Sequence, residues 1–122
     1  MDALLLVAHG SRHPGSSDEI RALAAKIAQT PGHRFDWVDF AFLEIAEPSI
    51  SEGLLGCVRK GAKHITVLPY FLAAGRHVSV DIPAELEKAR REYPQVQITS
   101  TPYLGAAREI PGVLARLSQK TT

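Results

Sequence analysis

A chain of 122 residues suits one domain, 1–122, long enough to bury a single core. Its 45% hydrophobic and 22% charged residues are ordinary for a globular protein, and a net charge of +1 without like-charge blocks gives no electrostatic case for nucleic-acid or membrane binding. The single cysteine, Cys57, excludes an intrachain disulfide and a cysteine metal cluster, and its helical context reads as a buried structural thiol.

In chain order, the first element is the apolar run Ala3 to Ala8, far too short to span a membrane. It follows Met1-Asp2 without a basic leader, so a cytoplasmic protein is expected. The run reads as a strand buried on both faces, as in parallel sheets. Ser16 or Ser17 is expected to cap the next helix, with Ile20, Leu23, Ala24 and Ile27 on one face and Thr30-Pro31-Gly32 ending it. Phe35 to Leu43 reads as the second strand. Pro48 is expected in the first turn of a second helix, continued by Ser51, Leu54, Leu55 and Val58 and closed by Gly61. His64 to Leu68 is the third strand, ended by Pro69. A loop from Tyr70 to His77 leads to Asp81, an expected N-cap, and a charged helix through Arg91. Val96 to Ser100 is a fourth strand, and Gly105 to Leu117 the last helix, with Pro111 disturbing it or marking a second start.

Strand and helix alternate four times. The expected fold is therefore α/β: a four-stranded parallel sheet flanked by helices in three layers, with right-handed crossovers. In such sheets ligands bind beyond the carboxyl ends of the strands. The residues placed there are His9, Gly10, Ser11, Arg12 and His13 after the first strand and Leu43 and Glu44 after the second. The third contributes Pro69, Tyr70, Phe71, Leu72, Gly75, Arg76 and His77, and the fourth Thr101, Pro102 and Tyr103. His33 and His64 fall near the opposite edge.

Two imidazoles and a carboxylate are a common ligand set for divalent Zn, Fe, Co and Ni, and an incomplete set leaves positions open for substrate. Simpler roles are open for the same residues. His9 suits a hydrogen-bonded strand end, and Gly10-Ser11 a phosphate-cradling turn, although both glycine-rich nucleotide fingerprints are absent. Glu44 can face solvent or pair with Arg76, Gly75 can be a positive-φ turn, and Phe71, Leu72 and Tyr103 can be core.

Three stretches carry a resemblance. Leu6-Val-Ala-His-Gly-Ser-Arg12 is similar to the opening motif of the small sirohydrochlorin chelatases, the CbiX/SirB group. Ala41-Phe-Leu-Glu-Ile-Ala-Glu-Pro48 resembles their middle motif, and Leu68-Pro-Tyr-Phe-Leu-Ala-Ala-Gly-Arg-His-Val-Ser-Val-Asp-Ile-Pro83 their second histidine motif. The order and spacing fit across the whole chain. The resemblance implies a chelatase-type fold, with His9 and His77 as the paired catalytic, metal-binding histidines and Glu44 as their acidic companion. It implies a lyase that inserts Co2+ or Fe2+ into sirohydrochlorin on routes to cobalamin or siroheme. Nickel insertion and a non-catalytic metal or tetrapyrrole carrier are the alternatives. Longer members hold two such domains, so this chain looks like the short form, which works as a homodimer. It lacks the histidine-rich segment and the iron–sulfur cysteines of some relatives, and no organic cofactor is expected.

Metallation exchanges two pyrrole N–H protons for one M2+, so a site must hold the ion and accept protons. Neutral imidazole can do either, and loading should weaken in acid, near pH 6.5 for an ordinary histidine. Phe71, Leu72 and Val78 are candidate walls for the flat ring. Arg12 and Arg76 are candidates for its peripheral carboxylates or are solvated loop charges, Ser11 can bind a carboxylate or only shape its turn, and Gly75 is a further candidate for substrate contact.

Overall fold

The computed structural model describes residues 1–121. Four parallel strands, β1 (Asp2–Ala8), β2 (Trp37–Phe42), β3 (His64–Pro69) and β4 (Gln97–Ser100), form one sheet in the order β2-β1-β3-β4. Four helices connect or follow them: α1 (Pro14–Gln29), α2 (Ile50–Arg59), α3 (Ile82–Glu92) and α4 (Ile110–Leu117). The expected α/β architecture is the observed one.

β1 is central, so it needs apolar residues on both faces. Leu5 pairs in register with Asp39 and Val67. On one face Leu5, Val7, Ile65 and Val67 pack with Leu54 and Cys57 of α2 and Leu86 of α3. On the other Leu6, Ala8 and Phe42 pack with Ile20 of α1. Each fully buried Leu, Ile or Val stabilises the fold by about 1.5–3 kcal/mol. Burial, with a smaller push from Asp39, raises the Cys57 thiol to about 12, as suits a structural cysteine.

Four local expectations are corrected. α1 starts at Pro14, whose ring presets the helical φ, and so neither Ser16 nor Ser17 caps it; His13 holds the cap position without a side-chain bond. Pro48 precedes α2 instead of opening it, because its carbonyl accepts from Phe42 N–H at 2.8 Å. Ser49 is the cap, in a reciprocal capping box with Glu52. Asp81 is not a cap: its backbone is helical, because a π-helical turn, His77–Asp81, runs straight into α3. The expected single helix over 105–117 is broken into a 3-10 turn, Leu104–Ala106, and α4, and Pro111, in the first turn of α4, marks the second start that was one of its two expected roles. Leu114 and Leu117 of α4 are 58% and 54% exposed.

Candidate functional site

The chain leaves the sheet at Ala8, and the next residue is His9. Gly10 then adopts φ +105°, and a Cβ there would collide with the Glu44 carbonyl oxygen. This close approach lets the loop after β1 run against the loop after β2. Leu43 N–H donates to the Ala8 carbonyl at 2.9 Å and Glu44 N–H to that of His9 at 3.0 Å, which carries the pairing past the strand ends. The result sets Glu44 Oε2 3.7 Å from His9 Nε2.

β3 delivers the second histidine. Tyr70 N–H donates to the Val7 carbonyl at 2.7 Å, and the loop then swings out to Gly75. The Gly75 carbonyl accepts from Val78 N–H, Ser79 N–H and the Ser79 hydroxyl, starting the π-helical turn that His77 opens. Such turns are frequent at functional sites. A buttress comes from beyond β4: Gly105 N–H donates to the Phe71 carbonyl at 2.9 Å, and a Cβ at Gly105 would collide with the Leu72 backbone. The His9 and His77 rings end 4.8 Å apart, tilted by 57°, with the Phe71 ring 6.3 Å from His77.

Hydrogen bonds dictate which nitrogens are free. His9 Nδ1–H donates to the Gly10 carbonyl at 2.9 Å, and His77 Nδ1–H to Asp81 Oδ2 at 2.8 Å. A carbonyl and a carboxylate only accept, so the proton of each neutral ring belongs on Nδ1. Each Nε2 then carries a lone pair. Both rings are partly solvent-exposed, as an open site requires.

His9 thus touches both His77 and Glu44, but the trio is not a closed cage. Among the described residues no three His, Cys, Asp or Glu side chains stand close enough to hold an ion together. An ion would have to draw the donors in. Glu44 faces His9, while Arg76 lies 3.9 Å from Asp81, so an Arg76–Glu44 pair is not formed.

The other expected residues scatter around this centre. Ser11 shapes its turn by accepting from His13 N–H at 3.0 Å, and Arg12 is exposed. Leu72 is 71% exposed, Arg76 and Gly75 are exposed, and Val78 is half-buried. Gly75 does not have positive φ. His9, Ser11 and Tyr70 share a hollow of about 260 Å³ with the start of α1. A larger hollow, about 340 Å³, lies between α2 and α3 and contains no histidine. His13 points into neither, and His33 and His64 belong to the opposite edge.

Two neighbours were missed. Asp81 holds His77; its four-residue spacing was visible, but a capping role accounted for it equally well. Ile45, beside Glu44, is 54% exposed at φ +72°. A β-branched residue in that region is strained, and nothing in a string of residue types announces it.

Fold and site together define an α/β domain with an open imidazole–carboxylate cluster at the carboxyl edge of a parallel sheet. The chain belongs to the CbiX family, whose model matches residues 3–121. It is 32% identical to the sirohydrochlorin ferrochelatase of Priestia megaterium, over 99% of this chain and 45% of that protein, so it spans less than half of that relative's length. It is 35% identical to the sirohydrochlorin cobaltochelatase of Saccharolobus solfataricus, over 99% of this chain and 96% of that one. The fold superposes on the sirohydrochlorin chelatase SirB of Bacillus subtilis subspecies spizizenii in complex with cobalt, with a TM-score of 0.81 and 33% identity, covering 97% of this chain and 50% of that one. Among the described residues no helix is long and apolar enough to cross a membrane.

Proposed function

We propose that this domain inserts Co2+ or Fe2+ into sirohydrochlorin, as a cytoplasmic chelatase on a route to cobalamin or siroheme. The observation that carries the reading is the pair of His9 and His77 rings, 4.8 Å apart at an open sheet edge, each with Nδ1 engaged and a lone pair left on Nε2, with Glu44 beside His9. The names of the relatives supply the macrocycle and the metals.

In this reading the incoming ion is substrate. His9 and His77 bind it through Nε2, and Glu44 contributes an anionic oxygen. As the ion passes to the ring, two pyrrole protons leave. Glu44 and the histidine released from the metal are the nearest acceptors. Ile45, Leu72 and Phe71 offer apolar contact to the flat ring, with Val78 further along the same edge. The exposed Arg12 and Arg76, the latter only loosely paired with Asp81, are placed to meet its carboxylates, with Ser11 and Gly75 shaping the loops between.

One domain does not enclose so wide a substrate, and we propose that a second copy completes the cleft as a homodimer. The exposed Leu114 and Leu117 of α4 support a partner surface.

The test follows the visible spectrum of sirohydrochlorin with Co2+, with and without protein, and with the His9→Ala/His77→Ala variant. Faster metallation by the native chain, lost in the variant, is expected. No acceleration with Co2+, Fe2+ or Ni2+ removes catalysis and leaves a carrier.

A further inference from the structure

We propose that Asp81 is a positioning residue, which keeps the His77 proton on Nδ1 and fixes the ring beside that of His9. The proposal rests on the reading of His9 and His77 as the metal-receiving pair.

The geometry is direct. Asp81 lies four residues after His77 in one helical turn, so both side chains rise from the same face. Its Oδ2 takes the Nδ1–H of His77 at 2.8 Å. The usual structural job at this position is absent, because the Asp81 side chain caps no backbone N–H. Its other oxygen lies 3.9 Å from the guanidinium of Arg76, a side chain 79% exposed. Such a solvated pair contributes little, which leaves His77 as the principal partner.

The two histidines are therefore held by different means. His9 is oriented by a main-chain carbonyl, which no substitution removes, and His77 by a side chain. Without an acceptor at Nδ1, the His77 ring can turn and can carry its proton on Nε2. That would present a donor, instead of a lone pair, to an approaching cation. Carboxylate partners of ligating histidines commonly carry 10–100-fold in metal affinity.

The experiment compares the full chain with Asp81→Ala, Asp81→Asn and His77→Ala. Nitrogen NMR of the histidine rings, without metal and above pH 8, reads the proton position. The native chain and Asp81→Asn, whose amide oxygen still accepts, should keep the His77 proton on Nδ1. In Asp81→Ala it should move toward Nε2. Calorimetry with Co2+ should show affinity about 10–100-fold weaker in Asp81→Ala, with Asp81→Asn in between. Alanine is the best helix former, so the variant should fold, and circular dichroism checks it. An unmoved proton in Asp81→Ala overturns the proposal whether or not metal binds. So does unchanged Co2+ affinity in Asp81→Ala when His77→Ala loses it. Unchanged affinity in His77→Ala instead sinks the metal-site reading, and the NMR result then decides the role of Asp81 alone.

Discussion

Each edge of the sheet sets a histidine near a carboxylate, yet the two edges are chemically unlike. At the amino edge His64 Nδ1 lies 3.9 Å from Asp2, and its Nε2 meets the Thr99 hydroxyl at 3.0 Å. Asp2 also takes Arg34 at 3.1 Å, while its N–H donates to Asp36 at 2.9 Å. The 3.9 Å from His64 Nδ1 to Asp2 is too long for a hydrogen bond, so this ring also keeps one nitrogen unbonded, but it stands without a second histidine ring beside it among the described residues. At the carboxyl edge Nδ1 of each histidine is occupied, and Nε2 is not: the 3.7 Å from His9 to Glu44 is too long for a hydrogen bond. The comparison teaches that a histidine–carboxylate pair is no site in itself. Two adjacent rings, each with Nδ1 engaged and Nε2 unbonded, make one.

The sharpest way to break this contrast is to remove a ring from each edge. His9→Ala or His77→Ala should weaken Co2+ binding by on the order of a hundredfold, given that supporting residues alone carry 10–100-fold. His64→Ala should leave it unchanged. Calorimetry on the three variants decides, and a large loss in His64→Ala would erase the distinction between the edges.

The glycines give the next largest effect. Gly10 and Gly32 both have positive φ, but a Cβ at Gly10 meets the Glu44 carbonyl, and one at Gly32 meets nothing within 4 Å. Gly10→Ala should therefore cost on the order of 3 kcal/mol and Gly32→Ala only about 1–2 kcal/mol, measured by urea unfolding. Equal costs would mean that the close approach of the two loops does not matter.

Ile45 sharpens the picture of the open edge. Asn tolerates positive φ, so Ile45→Asn should stabilise the fold by about 1 kcal/mol while weakening sirohydrochlorin binding, read by unfolding and by fluorescence titration. A stability gain with unchanged binding would remove Ile45 from the apolar wall.

The smallest effect concerns the core between the edges. A thiol raised to about 12 stays protonated at pH 8, so Cys57 should resist thiol reagents until the chain unfolds. Its contribution to stability is fully present below the ordinary value of 9.0 and is lost as pH rises from there through 12. Rapid labelling of the folded chain would show that the core opens readily.

Much of the fold was legible because buried strands must be apolar on both faces, as Ala3 to Ala8 are, and helices on one. The starts of α1 and α2 differ from the expected ones by two to four residues, with His13 and Ser49 in the cap positions. Several adjacent residues there can cap or open a helix, and the neighbouring backbone bonds select among them.

The residue order alone determined the α/β alternation, the burial of Cys57 and the placement of His9, Glu44 and His77 on one edge, since strand ends and helical crossovers leave few other arrangements. Only the tertiary structure decided that His9 and His77 stand ring to ring, that Glu44 reaches His9 and not Arg76, and that Asp81 grips His77 instead of capping α3. Those outcomes depend on loop paths set by Gly10, Gly105 and a π-helical turn. Loop paths follow from contacts between distant segments, which periodicity and propensity do not encode.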